Sequence, residues 1–332
     1  MPIKSRSVLV VGGAGYIGSH MVLGLRNAGY RPVVLDNLSK GHADAVIGAE
    51  LVVGNMDDSR LLTKLFAANK FLAVMHFASL IEVAESVSSP IQYYKNNVTA
   101  TLCLLEHMLK NGVNHFIFSS SAAVYGDPRT RRMKETHPLM PINPYGRSKL
   151  MVEGILKDLE KSHALQYAVL RYFNAAGADP EGRIGERHSP ETHLIPLLLQ
   201  VAAGLRRSIT IHGNHYPTPD GTCIRDYVHV SDICSAHLMA LQAILKGKKG
   251  IVCNLGTGKG YSVLQVINAV RRVTGRNIMA VNGNFRPGDA AVLVADATLA
   301  KELLNWKPNY ADLHVIIQHA WSYVMKSVYM EA

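Results

Sequence analysis

Ser7-Val8-Leu9-Val10-Val11 runs directly into Gly12-Gly13-Ala14-Gly15-Tyr16-Ile17-Gly18. The first five residues are too few for a helix and rich in valine, which marks a buried strand. The glycines that follow let the backbone turn sharply, and a helix pattern resumes at Tyr16. A strand, a glycine turn and a helix N-terminus together present backbone N–H groups to an anion, so the segment predicts a phosphate cradle. The spacing is Gly-x-x-Gly-x-x-Gly rather than the commoner Gly-x-Gly-x-x-Gly, and by itself it is a weak signal. A phosphate-free turn is the bland alternative.

Residues 32–37, Pro-Val-Val-Leu-Asp-Asn, sharpen the reading. They predict a second strand ending in Asp36, eighteen positions past Gly18. An acid there accepts hydrogen bonds from an adenosine ribose and repels a 2′-phosphate, so NAD is favoured over NADP. Further short apolar runs at 51–53, 73–77, 115–119 and 167–171 alternate with helical stretches at 57–69, 89–111 and 144–162. This alternation predicts an α/β fold: a doubly wound, parallel Rossmann-type sheet, with ligands at the carboxyl ends of its strands. Three polar sets fall there: the glycine turn, 76–79 (His-Phe-Ala-Ser) and Ser119-Ser120-Ser121.

The chemistry centres on Asn143-Pro144-Tyr145-Gly146-Arg147-Ser148-Lys149. Asn143 suits an N-cap and Pro144 the first helical position, so Tyr145 and Lys149, four apart, share a face. A cation beside a phenol favours the phenolate and makes a general base for an alcohol. Two ordinary helix-surface residues are the alternative for this pair. Likewise, Ser121 is either a hydroxyl that meets Tyr145 and a substrate or a simple cap of the next helix.

Composition points to a soluble enzyme. The chain has 332 residues, 48% of them hydrophobic and 18% charged. No run approaches the about 20 apolar residues of a membrane span, and no signal peptide precedes the glycine turn, so a cytoplasmic protein that does not engage a membrane is expected. Cys103, Cys223, Cys234 and Cys253 are widely separated and read as reduced packing residues. The net charge of +10 comes from scattered lysines and arginines, so solubility or an anionic small molecule explains it and no nucleic acid is expected. The fifteen histidines contain no His-Glu-x-x-His or comparable spacing, so no metal site is expected.

The glycine turn, Asp36-Asn37, the serine run and Tyr145-x-x-x-Lys149 together resemble the extended short-chain dehydrogenase/reductase superfamily. Within it the chain is similar to the UDP-glucose 4-epimerase family, through GGAGYIGSH (12–20), LDNLSKGH (35–42), FIFSSSAAVYG (116–126), NPYGRSKLMVE (143–153), LRYFNAAGADP (170–180), DGTCIRDYVHVSD (220–232), NLGTGKGYSV (254–263) and a stretch over 286–308. The resemblance implies reversible, NAD-dependent 4-epimerisation of UDP-glucose and UDP-galactose through a 4-keto sugar. It makes Tyr145 the base, Lys149 its partner at the nicotinamide ribose and Ser121 the hydroxyl that holds the reacting oxygen.

By the same resemblance NAD contacts Gly12, Gly15, Tyr16, Ile17, Gly18, Asp36, Asn37, Asn55, Met56, Phe77, Ala78 and Asn96, with Tyr172 and Phe173 near the nicotinamide. The UDP-sugar meets Asn174, Leu194, His212, Arg225, Arg286 and Asp289. Read from the residues alone, Arg225 could instead pair with a neighbouring acid and Arg286 could be a solvated loop charge. Ile81, His212 and Leu293 stand where the family usually has other residues, which leaves the accepted sugar open.

The resemblance also implies an NAD-binding domain over 1–174, with returning segments near 224–230 and 251–255, and a smaller nucleotide-sugar-binding lobe over 175–332. Helices holding Tyr93 and Lys149 would pair in a homodimer, while Leu150, Ile155, Leu156 and Leu159 could be interface or core. The rivals are a 4-epimerase of UDP-xylose, UDP-arabinose or UDP-N-acetylglucosamine and a non-catalytic NAD-binding sensor. A 4,6-dehydratase is disfavoured because Ala122 and Ala123 occupy the places of its acid pair.

Overall fold

The computed structural model describes residues 6–127, 130, 132–285 and 290–330. From the N-terminus, β1 (Ser7–Val11) leads through the glycine turn into α1 (Tyr16–Asn27), followed by β2 (Arg31–Asp36), β3 (Glu50–Val53), α2 (Ser59–Ala68) and β4 (Phe71–His76). Next come α3 (Val83–Ser88), α4 (Pro90–Tyr94), α5 (Ala100–Lys110), β5 (His115–Ser121), α6 (Pro144–His163) and β6 (Gln166–Tyr172). After these the chain builds β7 (Asn174–Ala176), α7 (Leu194–Ala202), β8 (Ile209–His212), β9 (Ile224–His229), α8 (Val230–Leu245) and β10 (Ile251–Leu255). It closes with β11 (Gly260–Ser262), α9 (Val263–Thr274), β12 (Ala280–Gly283), β13 (Val292–Leu293), α10 (Thr298–Leu304) and α11 (Leu313–Met330).

Seven strands form one parallel sheet in the order β10-β6-β5-β4-β1-β2-β3. Alternation within β1 shows why it must be central. Val8 and Val10 join one core with α1, α8 and α10, whereas Leu9 and Val11 join the opposite core with α2, α5 and α6. All four are at most 1% exposed, and each such side chain stabilises the fold by about 1.5–3 kcal/mol. Chain order reverses beside β1, between β2 and β4, which opens a crevice at the carboxyl ends where a ligand fits an α/β sheet.

Two expectations about the path of the chain need correction. Residues 251–255 do join the large sheet, as β10, but 224–229 do not. They form β9 of a four-stranded sheet, because β9 pairs in parallel with β7 and β13 and antiparallel with β11. Only the helix that follows, α8, returns to the face of the large sheet. In addition, the helix expected over 89–111 contains a π-helical turn at Lys95–Thr99. The wider turn lets the buried Asn97 accept from the Leu80 backbone N–H at 2.9 Å and donate to its carbonyl at 3.0 Å. Leu156 is fully buried in the core, while Leu150, Ile155 and Leu159 are partly buried and pack against the cores. No helix among the described residues is long and apolar enough to cross a membrane.

Candidate active site

The glycine turn shows which of its positions the protein itself requires. Gly12 has φ +79°, and a Cβ there would lie 2.5 Å from the Ala78 nitrogen; a Cβ on Gly18 would lie 2.0 Å from the Gly12 carbonyl oxygen. Both must be glycine for the turn to close against β4. A Cβ on Gly15 would meet only the Gly12 oxygen, at 3.5 Å, so the protein does not fill that side. Gly15 is the N-cap of α1 and offers no side chain, which leaves the first N–H groups at Tyr16, Ile17 and Gly18 facing outward. An open face and uncapped donors are what a dinucleotide diphosphate needs.

Asp36 ends β2, 8% exposed. Its Oδ2 accepts from Ala14 N–H at 2.9 Å and its Oδ1 from Leu38 N–H at 2.8 Å, so it braces the glycine turn and still has lone pairs for ribose hydroxyls. Leu38, the donor of the second bond, has φ +59°. Asn37 donates to Asn55 Oδ1 at 2.8 Å, which engages that oxygen and leaves the Asn55 amide group as donor. Phe77 and Ala78 both donate their N–H to the Val11 carbonyl, at 2.7 and 3.1 Å, which fixes the floor of the crevice. Asn96 lies on the π-helical turn and donates to Asn97 Oδ1.

Some predicted contacts resolve differently. Met56 is 6% exposed and belongs to the core beneath β1 and β2. Phe173 packs with Ala122, Val124, Tyr125, Met133 and Ala295 in a small core that Leu293 also borders. The Tyr16 hydroxyl donates to the Gly177 carbonyl at 2.7 Å and struts the glycine turn against the segment after β7.

At the end of β5 the three serines divide their work. Ser119 Oγ hydrogen-bonds the Tyr172 hydroxyl. Ser120 Oγ donates to Glu153 Oε1 at 2.6 Å. Ser121 Oγ accepts from Ala123 N–H at 3.2 Å, which caps the turn that follows, and it is near enough to the Tyr145 phenol to lower that group's pKa. Helix α6 begins as its sequence requires, with Asn143 Oδ1 accepting from Gly146 N–H at 2.8 Å and Pro144 in the first turn. Lys149 Nζ lies 5.8 Å from the centre of the Tyr145 ring and donates to Ser79 Oγ at 2.7 Å and the Ser119 carbonyl at 2.9 Å. The pair is therefore no surface feature: Lys149 is 3% exposed.

The electrostatics correct one expectation. Burial raises the Tyr145 pKa above its ordinary value, the Ser121 hydrogen bond lowers it, and the charge of Glu82 raises it again. Burial also lowers Lys149 to about 7, offset in part by Glu153. Glu153 stands one turn beyond Lys149 but is held by Arg171, whose Nη2 lies 2.5 Å and Nε 3.0 Å from its two oxygens. The lysine thus faces the crevice without a carboxylate bonded to it, and desolvation outweighs its attraction to Glu153. Glu82, Asn97, Glu153 and Arg171 escaped sequence reasoning, because each acts through residues distant in the chain.

Beyond the large sheet, Asn174 opens β7 of the four-stranded sheet, Leu194 opens α7 and His212 ends β8, which pairs with β12 in a separate two-stranded sheet; all three are half-buried. Arg225 on β9 donates from Nη1 to the carbonyls of Ile224 and Ala290, at 3.0 and 2.8 Å. Its neighbour Asp226 is used otherwise, accepting from Thr257, Gly258 and Ala295 N–H groups. Arg286 and Asp289 lie outside the described residues.

A doubly wound sheet, a glycine cradle before α1 and a Ser-Tyr-Lys set at the neighbouring strand ends define a dinucleotide-dependent enzyme of the short-chain dehydrogenase/reductase type. The chain belongs to the NAD dependent epimerase/dehydratase family, whose model matches residues 8–256. It is 48% identical to the UDP-glucose 4-epimerase of Halalkalibacterium halodurans over 317 residues, 96% of this chain and 95% of that protein. The crystal structure of the Brucella ovis UDP-glucose 4-epimerase in complex with NAD superposes with a TM-score of 0.92 at 44% identity, covering 96% of this chain and 98% of that one. That of the Stenotrophomonas maltophilia enzyme, with bound NAD and formylated UDP-arabinopyranose, gives 0.93 at 39% identity over 98% and 99%.

Proposed function

We propose that the protein interconverts UDP-glucose and UDP-galactose by NAD-dependent 4-epimerisation. The observation that carries this reading is a buried Lys149, claimed by no carboxylate, whose Nζ lies 5.8 Å from the centre of the Tyr145 ring with Ser121 beside the phenol. The residues fit the cofactor: Gly15 leaves room that a Cβ would occupy, and the N-terminus of α1 carries no side-chain cap. NAD bound over the glycine turn supplies the oxidant that takes a hydride from the sugar C4 and returns it, together with a positive ring charge beside the phenol.

The chain's own groups do the rest. Tyr145 as phenolate takes the proton of the 4-hydroxyl, and Ser121 holds that oxygen in place. Since burial opposes the phenolate, positive charge must outweigh it: Lys149 while protonated, and the oxidised cofactor ring. Arg225, anchored on β9 beside Ala290, serves the diphosphate with planar paired donors. A nucleotide gripped by the second sheet leaves the keto sugar free to turn, so the hydride would return to the opposite face of C4 while Tyr145 gives its proton back to the C4 oxygen, and no net oxidation results. The large sheet is the cofactor lobe and the four-stranded sheet with α7, α9 and α11 the sugar-nucleotide lobe.

The test is Tyr145→Phe. Conversion of UDP-glucose to UDP-galactose, followed by chromatography of the two sugars, should fall by at least about 100-fold, the range for loss of a positioned acid–base group. Turnover near the unmodified rate would overturn the proposal.

A further inference from the structure

The connection between β7 and α7 holds a cluster with no part in the reaction above. Glu186, His188, Glu191 and His193 each direct one donor atom inward, and these four atoms all lie within 4.8 Å of one another. His188 Nδ1 is 3.3 Å from Glu186 Oε1 and 3.6 Å from Glu191 Oε1. His193 Nδ1 hydrogen-bonds the same Glu186 oxygen, and the two imidazoles meet edge to face at 5.2 Å. The carboxylate side chains are only 6% and 5% exposed. His188 Nδ1 is buried and, among the described residues, finds no partner of hydrogen-bond geometry although it lies close to both carboxylates.

Two carboxylates buried side by side are costly unless positive charge is held between them. Two imidazoles and two carboxylates are a donor set suited to zinc and similar borderline ions. Tetrahedral bonds of about 2.0–2.2 Å put donor atoms about 3.4 Å apart, so the cluster needs shifts of about an ångström to close on an ion. We propose that Glu186, His188, Glu191 and His193 form a divalent-cation site of the zinc class. With four protein donors it is closed, which assigns it to structure rather than to Lewis-acid chemistry.

Its position gives it a purpose. His193 is the N-cap of α7 and directly precedes Leu194. Thr192, between two of the donors, gives a hydrogen bond of 2.9 Å to Glu82 Oε1, the acid whose charge reaches Tyr145. An ion here ties the segment after β7 to the start of α7 beside the reaction site. The spacing Glu-x-His-x-x-Glu-x-His lies on a loop, so a search for helical ligand spacings passes over it.

The full-length protein, stripped with chelator, should be titrated calorimetrically with zinc chloride. One ion per chain is expected, bound with a Kd below about 1 μM and with a rise in melting temperature. His188→Ala and Glu191→Gln should each weaken binding by at least about 100-fold, more than the loss of an outer-shell partner. Circular dichroism on the stripped variants checks that they fold. A simple His–Glu ion-pair network predicts no saturable uptake; that result, or unchanged affinity in both folded variants, would overturn the site.

Discussion

The carboxylate of Glu82 reaches the reacting phenol from outside the Ser-Tyr-Lys set, and its sign is adverse. It raises the pKa of Tyr145, adding to what burial already does. Its own position is secured by Thr192, whose hydroxyl donates to Oε1. Glu82→Gln removes the charge and keeps an acceptor for that hydroxyl. Because the phenolate is the active form and a neighbouring anion disfavours it, the variant should reach full kcat/KM at a lower pH than the unmodified enzyme. KM for UDP-glucose should stay nearly unchanged, since the substitution touches proton affinity and not the nucleotide grip. A pH profile whose rising limb stays put, or moves to higher pH, would show that Glu82 does not act on the base.

Helix α6 places Tyr145, Lys149 and Glu153 at successive turns, and the neighbouring strand β6 decides how they are used. On an isolated helix Lys149 and Glu153 would pair. Here Arg171 takes Glu153 in a two-point contact, with both side chains under a tenth exposed, and Tyr125 and Ser120 complete the network. Breaking such a pair from one side costs about 3–5 kcal/mol because a buried charge is left alone. Arg171→Met should therefore lower stability to urea by about that amount, while Arg171→Met with Glu153→Leu should recover most of the loss. A single variant as stable as the parent, or a double variant no better than the single, would contradict the arrangement. The same contrast separates what the sequence reveals from what it hides. The cap at Asn143, the turn at Gly12 and Gly18 and the alternation of β1 are local, and each follows from residue type and spacing. The claim of Arg171 on Glu153, the π-helical turn that seats Asn97 and the pairing of β9 with β7 depend on segments brought together only by folding.

At the scale of the whole molecule, both faces of the large sheet and the seam with the smaller one enclose histidines that carry no charge. Burial lowers the pKa of His20 to about 4, His76 to about 3, His229 to about 3 and His237 to about 4, against an ordinary value of 6.5. Each is folded into a place that tolerates only the neutral ring. His237, for example, lies between Phe77 and Tyr172, with Nδ1 bonded to the Ile233 carbonyl at 2.9 Å. Between pH 6.5 and about 4 the unfolded chain therefore binds protons that the folded chain refuses, so stability rises with pH in that window and is lost as pH falls through it. One such group contributes at most about 1.4 kcal/mol per pH unit. Asp226 and Asp232, whose pKa is raised by burial, act in the opposite sense. Urea midpoints at about pH 7.5 and about pH 5 should differ steeply, with acid unfolding complete well before the carboxylates finish titrating. Removing one histidine isolates the cause: His237→Leu should reduce the slope of stability against pH by up to about 1.4 kcal/mol per unit below 6.5. An unaltered slope in that variant would show that acid attacks the fold through its carboxylates instead.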